Sequence, residues 1–177
     1  MKVGFIGLEK MGAAMATRLK NAGHEVIAVD ENSHARDKAT QQGINVAADC
    51  RSAAAMLPAP RTFWLMTPPG EATENAIAEL AALLTSGDIV VDGGNSDFRD
   101  TLRRSARLRE KGITLVDAGV SGGTQGAREG CGLLIGAATP IVECLAPLFD
   151  ALAAKGAWAT AARDILPKRC ITASNTR

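Results

Sequence analysis

The stretch KVGFIGLEKMGAAMATRLKNAGHEVIAVD, residues 2–30, decides how the rest of this chain is read. Val3 to Ile6 is a short apolar run closed by Gly7, the pattern of a strand buried on both faces. Met11 to Ala22 then carries apolar residues at helical spacing and stops at Gly23, the residue type favoured just past a helix end. His24 to Val29 is a second β-rich run, and it ends at Asp30. Strand, glycine turn, helix and strand in this order predict a βαβ unit, and with it a parallel sheet.

The alternation continues outward. Thr62 to Met66 reads as a strand, Ala72 to Leu84 as an Ala-rich helix, and Ile89 to Val91 as a strand entering Asp92-Gly93-Gly94. Asp100 to Lys111 is a charged helix ended by Gly112, followed by a strand from Ile113 to Val116. Leu133 to Ile135 and Pro140 to Leu152 supply a last strand and helix. The expected fold class is therefore α/β, a Rossmann-type doubly wound parallel sheet covered by helices on both faces.

Composition narrows the function classes. With 177 residues the chain can bury a real core, and 46% hydrophobic with 22% charged residues is the balance of a folded protein. Lys plus Arg number 20 against 19 Asp plus Glu, a net charge of +1 that offers no basic surface. No nucleic-acid or membrane partner is expected, and small molecules are. Cys50, Cys131, Cys144 and Cys170 make no C-x-x-C pair, the usage of a reducing compartment. His24 and His34 alone, both read as surface groups, leave neither a zinc site nor a Ser-His triad its usual material, so no metal is expected. The apolar opening is too short for a signal or a membrane span, so a cytoplasmic location is expected.

The turn Gly7-Leu8-Glu9-Lys10-Met11-Gly12 stands where a dinucleotide pyrophosphate would meet the N-terminus of a helix, whose free N–H groups and dipole favour anions. Its spacing is G-x-E-x-x-G. Glu9 replaces the glycine at which the backbone approaches the phosphates. A carboxylate about 5 Å from a phosphate, at an effective dielectric of about 20, repels it by about 3 kcal/mol, and by less once it swings into solvent. Weakened cofactor binding is the expectation. Asp30 follows at the distance expected of an acid that accepts from a ribose 2′-OH and repels a 2′-phosphate, which favours NAD over NADP. The same residue would equally serve as a solvated acid or a helix cap.

Further segments carry a resemblance. They are Gly4-Phe5-Ile6-Gly7-Leu8-x-x-Met11-Gly12, Trp64-Leu65-Met66-Thr67-Pro68-Pro69-Gly70, and Asp92-Gly93-Gly94-Asn95-Ser96 with Asp100-Thr101-Leu102-Arg103-Arg104. Gly119-Val120-Ser121-Gly122-Gly123 with Gly126-Ala127 and Gly130 completes the set. From Met1 to about Trp158 the chain resembles the decarboxylating 6-phosphogluconate dehydrogenases, particularly the shorter bacterial branch that often uses NAD. The β-hydroxyacid dehydrogenases share the opening and a Ser-Gly-Gly loop, and form the alternative. The resemblance implies oxidation of 6-phosphogluconate with NAD, or with NADP in other members, and loss of CO2 to give ribulose 5-phosphate.

It also implies site residues. Cofactor contacts are expected from Gly7, Leu8, Met11 and Gly12 of the turn, from Asp30, from Met66, Thr67 and Pro68, and from Asn95. Substrate contacts are expected from Asn95, Ser121, Gly122 and Gly123. The chemistry agrees: Asn95 follows a strand C-terminus, where open parallel sheets bind ligands, and its amide both donates and accepts. Small residues in the second loop let backbone N–H groups reach a carboxylate or hydroxyl. An Asx-turn at Asn95 and a tight turn at the glycines are the structural alternatives. Arg103 and Arg104 read as a solvated helix face.

A base for the sugar hydroxyl and an acid for the enediol are also required. The family supplies Lys and Glu in a segment reading Gly-His-Phe-x-Lys-x-Val-His-Asn-Gly-Ile-Glu-Tyr, which opens the helical domain that carries its homo-oligomer contacts. That segment is absent from this chain, so no catalytic residue is assigned. Residues 159–177 have no period, cap or core face. Read in another frame, the codons that encode 163–176 permit every residue specified in that family segment, in order. The expectation is a dinucleotide-binding domain over 1–158 followed by an out-of-frame tail, with a non-catalytic cofactor-binding fragment as the alternative to an active enzyme.

Overall fold

The computed structural model describes residues 1–161. Its sheet contains β1 (Lys2–Ile6), β2 (Glu25–Val29), β3 (Asn45–Val46), β4 (Thr62–Leu65), β5 (Ile89–Asp92), β6 (Thr114–Ser121), β7 (Cys131–Gly136) and β8 (Ala153–Thr160). Between them run α1 (Lys10–Asn21), α2 (Ser33–Gln41), α3 (Cys50–Met56), α4 (Glu71–Leu83), α5 (Phe98–Arg109), α6 (Gly123–Glu129) and α7 (Thr139–Leu152). The strand order is β3-β2-β1-β4-β5-β6-β7-β8. From β3 to β6 every neighbour is parallel, so the expected Rossmann-type α/β fold is present.

The chain moves outward from β1 to β3, then returns past β1 to β4, and the direction of winding reverses between those two strands. In open parallel sheets this switch point is where a crevice opens beyond the strand C-termini. Alternating side chains of the buried strands feed two cores. On one face Val3, Phe5 and Trp64 pack with Met15, Leu19, Leu145, Leu148 and Phe149 of α1 and α7. On the other, Ile27, Phe63 and Leu65 pack with Ala53, Ile77, Leu80 and Leu108 of α3, α4 and α5. The close pass of α1 over the sheet depends on Gly12, where an added Cβ would run into the carbonyl oxygen of Gly7.

Several elements differ from the sequence reading. α2, β3, α3 and α6 were not anticipated; α2 buries only Ala39, and β3 has two residues. β7 runs antiparallel to β6, its partners being Asp117–Gly136 through Ser121–Gly132, so the sheet is mixed at that end. β8 then pairs parallel to β7, with Trp158 opposite Leu133. It continues through Thr160, two residues into the segment expected to be irregular. The remainder of the expected out-of-frame tail, from 162 onward, lies outside the described residues. His24 lies at the surface, half-buried, where its ring meets the N-terminal amine of Met1 at 3.0 Å. No helix among the described residues is long and apolar enough to cross a membrane.

Candidate functional site

At the switch point a groove of about 370 Å³ opens over the C-terminal ends of β1, β4, β5 and β6. Glu9, Lys10, Met11 and Gly12 border it on one side, Met66, Thr67 and Pro68 on another, and Gly93, Gly94 and Asn95 with Gly119 and Val120 complete it. The structure thus unites Met11, Gly12, Met66, Thr67, Pro68 and Asn95. Gly7 and Leu8 follow β1 outside this lining, and Leu8 lines the neighbouring groove along α1 instead.

The N-terminus of α1, like those of α4, α6 and α7, has no side-chain cap, and it is the one whose first residues line the groove. Glu9 is its N-cap residue with extended backbone, yet makes no side-chain cap hydrogen bond, and the first turn contains no acid. By contrast α2, α3 and α5 are capped by Asn32, Asp49 and Asp97. The first N–H groups of α1 therefore have no side-chain acceptor, and the dipole favours negative charge there. Exposed Glu9 opposes an anion and Lys10 favours one; Lys10 is a groove residue that the sequence reading did not single out.

Asp30 stands apart from the groove lining, at the end of β2. One carboxylate oxygen accepts from the Leu8 N–H at 2.5 Å and the other from the Asn32 N–H at 2.8 Å. These bonds orient the carboxylate beside the glycine turn, and each oxygen retains a lone pair for a diol. Arg36 lies close by, but its Nη1 donates to the carbonyls of Asp30 and Glu31 at 2.8 and 2.9 Å.

The opposite wall is braced from within. Thr73, fully buried at the start of α4, donates to the Pro68 carbonyl at 2.7 Å and meets the Thr67 hydroxyl at 2.8 Å. Asp92 accepts from the Gly94 N–H at 3.1 Å and shapes the turn that presents Asn95. A Cβ on Gly93 would lie 2.6 Å from Trp64 Nε1 and 2.9 Å from Met66 Sδ, so only glycine lets the two loops meet. Ser121 ends β6, Gly122 is the N-cap of α6 and Gly123 opens it; all three are exposed and lie outside the groove lining.

One sequence reading needs correction. Arg104 is no solvated residue: it is 1% exposed, with its guanidinium turned under the loops. Nε donates to Glu74 at 2.9 Å, Nη1 to Ser96 Oγ at 3.2 Å and Nη2 to the Gly70 carbonyl at 3.3 Å. Arg103 is exposed as expected, paired with Glu74 and Asp100. Hydrogen bonds from Arg103 and Arg104 bring the Glu74 carboxyl down to about 2 against the opposing effect of burial. The signal for Arg104 was in the spacing: Thr101, Arg104 and Leu108 form the buried stripe of α5.

A larger groove, about 910 Å³, runs along α1 between Lys38 of α2 and Arg128 of α6. It lies against the side of α1, away from the loops that follow β4 and β5, and it receives neither Asn95 nor Met66. Lys10 at the start of α1 lines both grooves, but the smaller one alone has the converging loops after β4 and β5, and is the candidate site.

The family model described as the NAD binding domain of 6-phosphogluconate dehydrogenase matches residues 2–166. The NAD(+)-dependent, decarboxylating 6-phosphogluconate dehydrogenase of Haloferax volcanii is 36% identical over 153 residues, covering 86% of this chain and 50% of its own. The decarboxylating 6-phosphogluconate dehydrogenase of Haemophilus influenzae is 36% identical over 158 residues, 86% of this chain and 33% of its own. The chain thus spans between a third and half the length of these curated relatives. Among solved structures, Mycobacterium tuberculosis 3-hydroxyisobutyrate dehydrogenase superposes with a TM-score of 0.87 at 25% identity, over 98% of this chain and 58% of that one. Plasmodium falciparum 6-phosphogluconate dehydrogenase gives 0.81 at 24% identity, over 87% and 34%, a likeness of fold. The sequence matches go further than fold, and by them the chain belongs to the family of NAD-binding domains of 6-phosphogluconate dehydrogenase.

Proposed function

We propose that this chain is the cofactor-binding part of an NAD-dependent 6-phosphogluconate dehydrogenase. The observation that carries the reading is the convergence of an uncapped α1 N-terminus with the Met66–Pro68 and Gly93–Asn95 loops at the switch point of the sheet. The pyrophosphate would lie on the N–H groups that open α1, with Gly7, Leu8, Met11 and Gly12 around it. Asp30 would accept from the adenosine ribose. NAD is favoured over NADP because a 2′-phosphate would meet that carboxylate, while Arg36 Nη1 is already held by two carbonyls.

The nicotinamide ring would lie between Met66, Thr67, Pro68 and Asn95; when bound, it supplies a hydride acceptor. Asn95, with Ser121, Gly122 and Gly123 in the next loop, would hold the hydroxyls and carboxylate of the sugar acid. The proton transfers belong to a base and an acid that no groove residue is assigned to supply. NAD binding without turnover of 6-phosphogluconate is accordingly expected of this chain, in the cytoplasm.

Titrating the chain with NAD, beside an assay of NADH formation from 6-phosphogluconate, tests this. Saturable binding without NADH supports it; absence of binding contradicts it. Turnover of 3-hydroxyisobutyrate and none of 6-phosphogluconate would instead make the chain a β-hydroxyacid dehydrogenase relative. The out-of-frame reading of the tail belongs to the same proposal. It is tested by re-reading the DNA from the codon of Lys155 past that of Arg177, where an in-frame Lys, His, Asn, Glu and Tyr would support it and an unchanged reading frame would contradict a miscounted base.

A further inference from the structure

Arg104 is a buried cation that touches neither wall of the groove yet holds both. Burying a guanidinium is unfavourable unless its donors are met, and here they reach parts of two different loops. Nη2 donates to the carbonyl of Gly70, which ends the loop from Met66 and forms the N-cap of α4. Nη1 donates to Ser96, the residue after Asn95, and lies 3.9 Å from Asp92, whose other oxygen holds Gly94. Nε completes the link through Glu74 in the first turn of α4. One rigid plane therefore spans the β4–α4 loop and the β5–α5 loop from below.

We propose that Arg104 is a positioning residue that fixes the separation of these two loops, and through it the fit of the nicotinamide end of the cofactor. The proposal rests on reading the groove as the cofactor site. Its geometry makes a selective demand: the adenosine end, at Asp30 and the glycine turn, has no bond to Arg104. The planar fork matters as well as the charge, because a lysine ammonium in its place has a single nitrogen to share among Gly70, Ser96 and Glu74.

The experiment measures dissociation constants of NAD and of ADP-ribose, which lacks the nicotinamide, for the full chain and for Arg104→Lys, Arg104→Met and Ser96→Ala. Arg103→Met is the control, since Arg103 shares Glu74 but reaches no loop. The expected result is a loss of NAD affinity of roughly tenfold in both Arg104 variants, the scale of a single hydrogen bond to a charged group. ADP-ribose affinity should change less than about twofold at the untouched adenosine end. Ser96→Ala, which removes one anchor and keeps the buried cation, should move NAD in the same direction by a smaller factor, and covers the case in which the Arg104 variants do not fold. Equal losses for both ligands, full restoration by lysine, folded Arg104 variants at wild-type NAD affinity, or an unchanged NAD constant in Ser96→Ala would each overturn the proposal. A native chain that binds neither ligand would instead remove the cofactor reading itself, and the proposal with it.

Discussion

Glu9 and Gly12 show how much of this site depends on single side chains. Gly12 tolerates no Cβ, because α1 there lies against the Gly7 carbonyl. Gly12→Ala is expected to lower stability by about 1–3 kcal/mol, the cost of forcing atoms into a filled contact, read as a shift of the urea midpoint. An unchanged midpoint would mean that the helix can lift off the turn freely. Glu9 is the opposite case, an exposed residue with room to move and no cap bond to lose. Solvent and salt screen its charge, so Glu9→Gly is expected to tighten NAD binding by only a few-fold, and more at low salt than at high. Equal dissociation constants in the two chains would dismiss the carboxylate as a determinant.

The element scale is where the sequence was most and least informative. β1, α1 and β2 were readable because buried strands and an amphipathic helix leave strong periodicities, and Gly7 and Gly23 mark the junctions. α2 was missed because nine mostly polar residues bury only Ala39. β8, AAKGAWAT, has no β-branched run and draws its place from pairing with β7. The groove residues at the ends of β1, β4 and β5 were legible in motif, whereas Arg104 was hidden by the charge of α5 around it, although its register with Thr101 and Leu108 pointed inward. The α4–α5 contact carries a pH prediction. Arg103 and Arg104 hold the Glu74 carboxyl at about 2, below its ordinary 4.5. A carboxyl depressed in the folded state adds stability that is complete above the unfolded value and is lost as pH falls through the folded one. Between pH 4.5 and about 2 the urea midpoint should therefore fall more steeply in the native chain than in Glu74→Gln. Parallel curves would show that Glu74 contributes no linkage.

Across the whole molecule, the reversal of winding between β1 and β4 brings together residues far apart in sequence, from Met11 to Val120. This crevice, and not the larger groove along α1, is the proposed NAD site. Amide NMR of the full chain titrated with NAD tests it most directly. Saturable shifts clustered at Gly7, Gly12, Asp30, Thr67, Gly94 and Asn95 are expected. Shifts confined to Thr17, Lys38 and Arg128, or no saturable shift at all, would contradict that assignment.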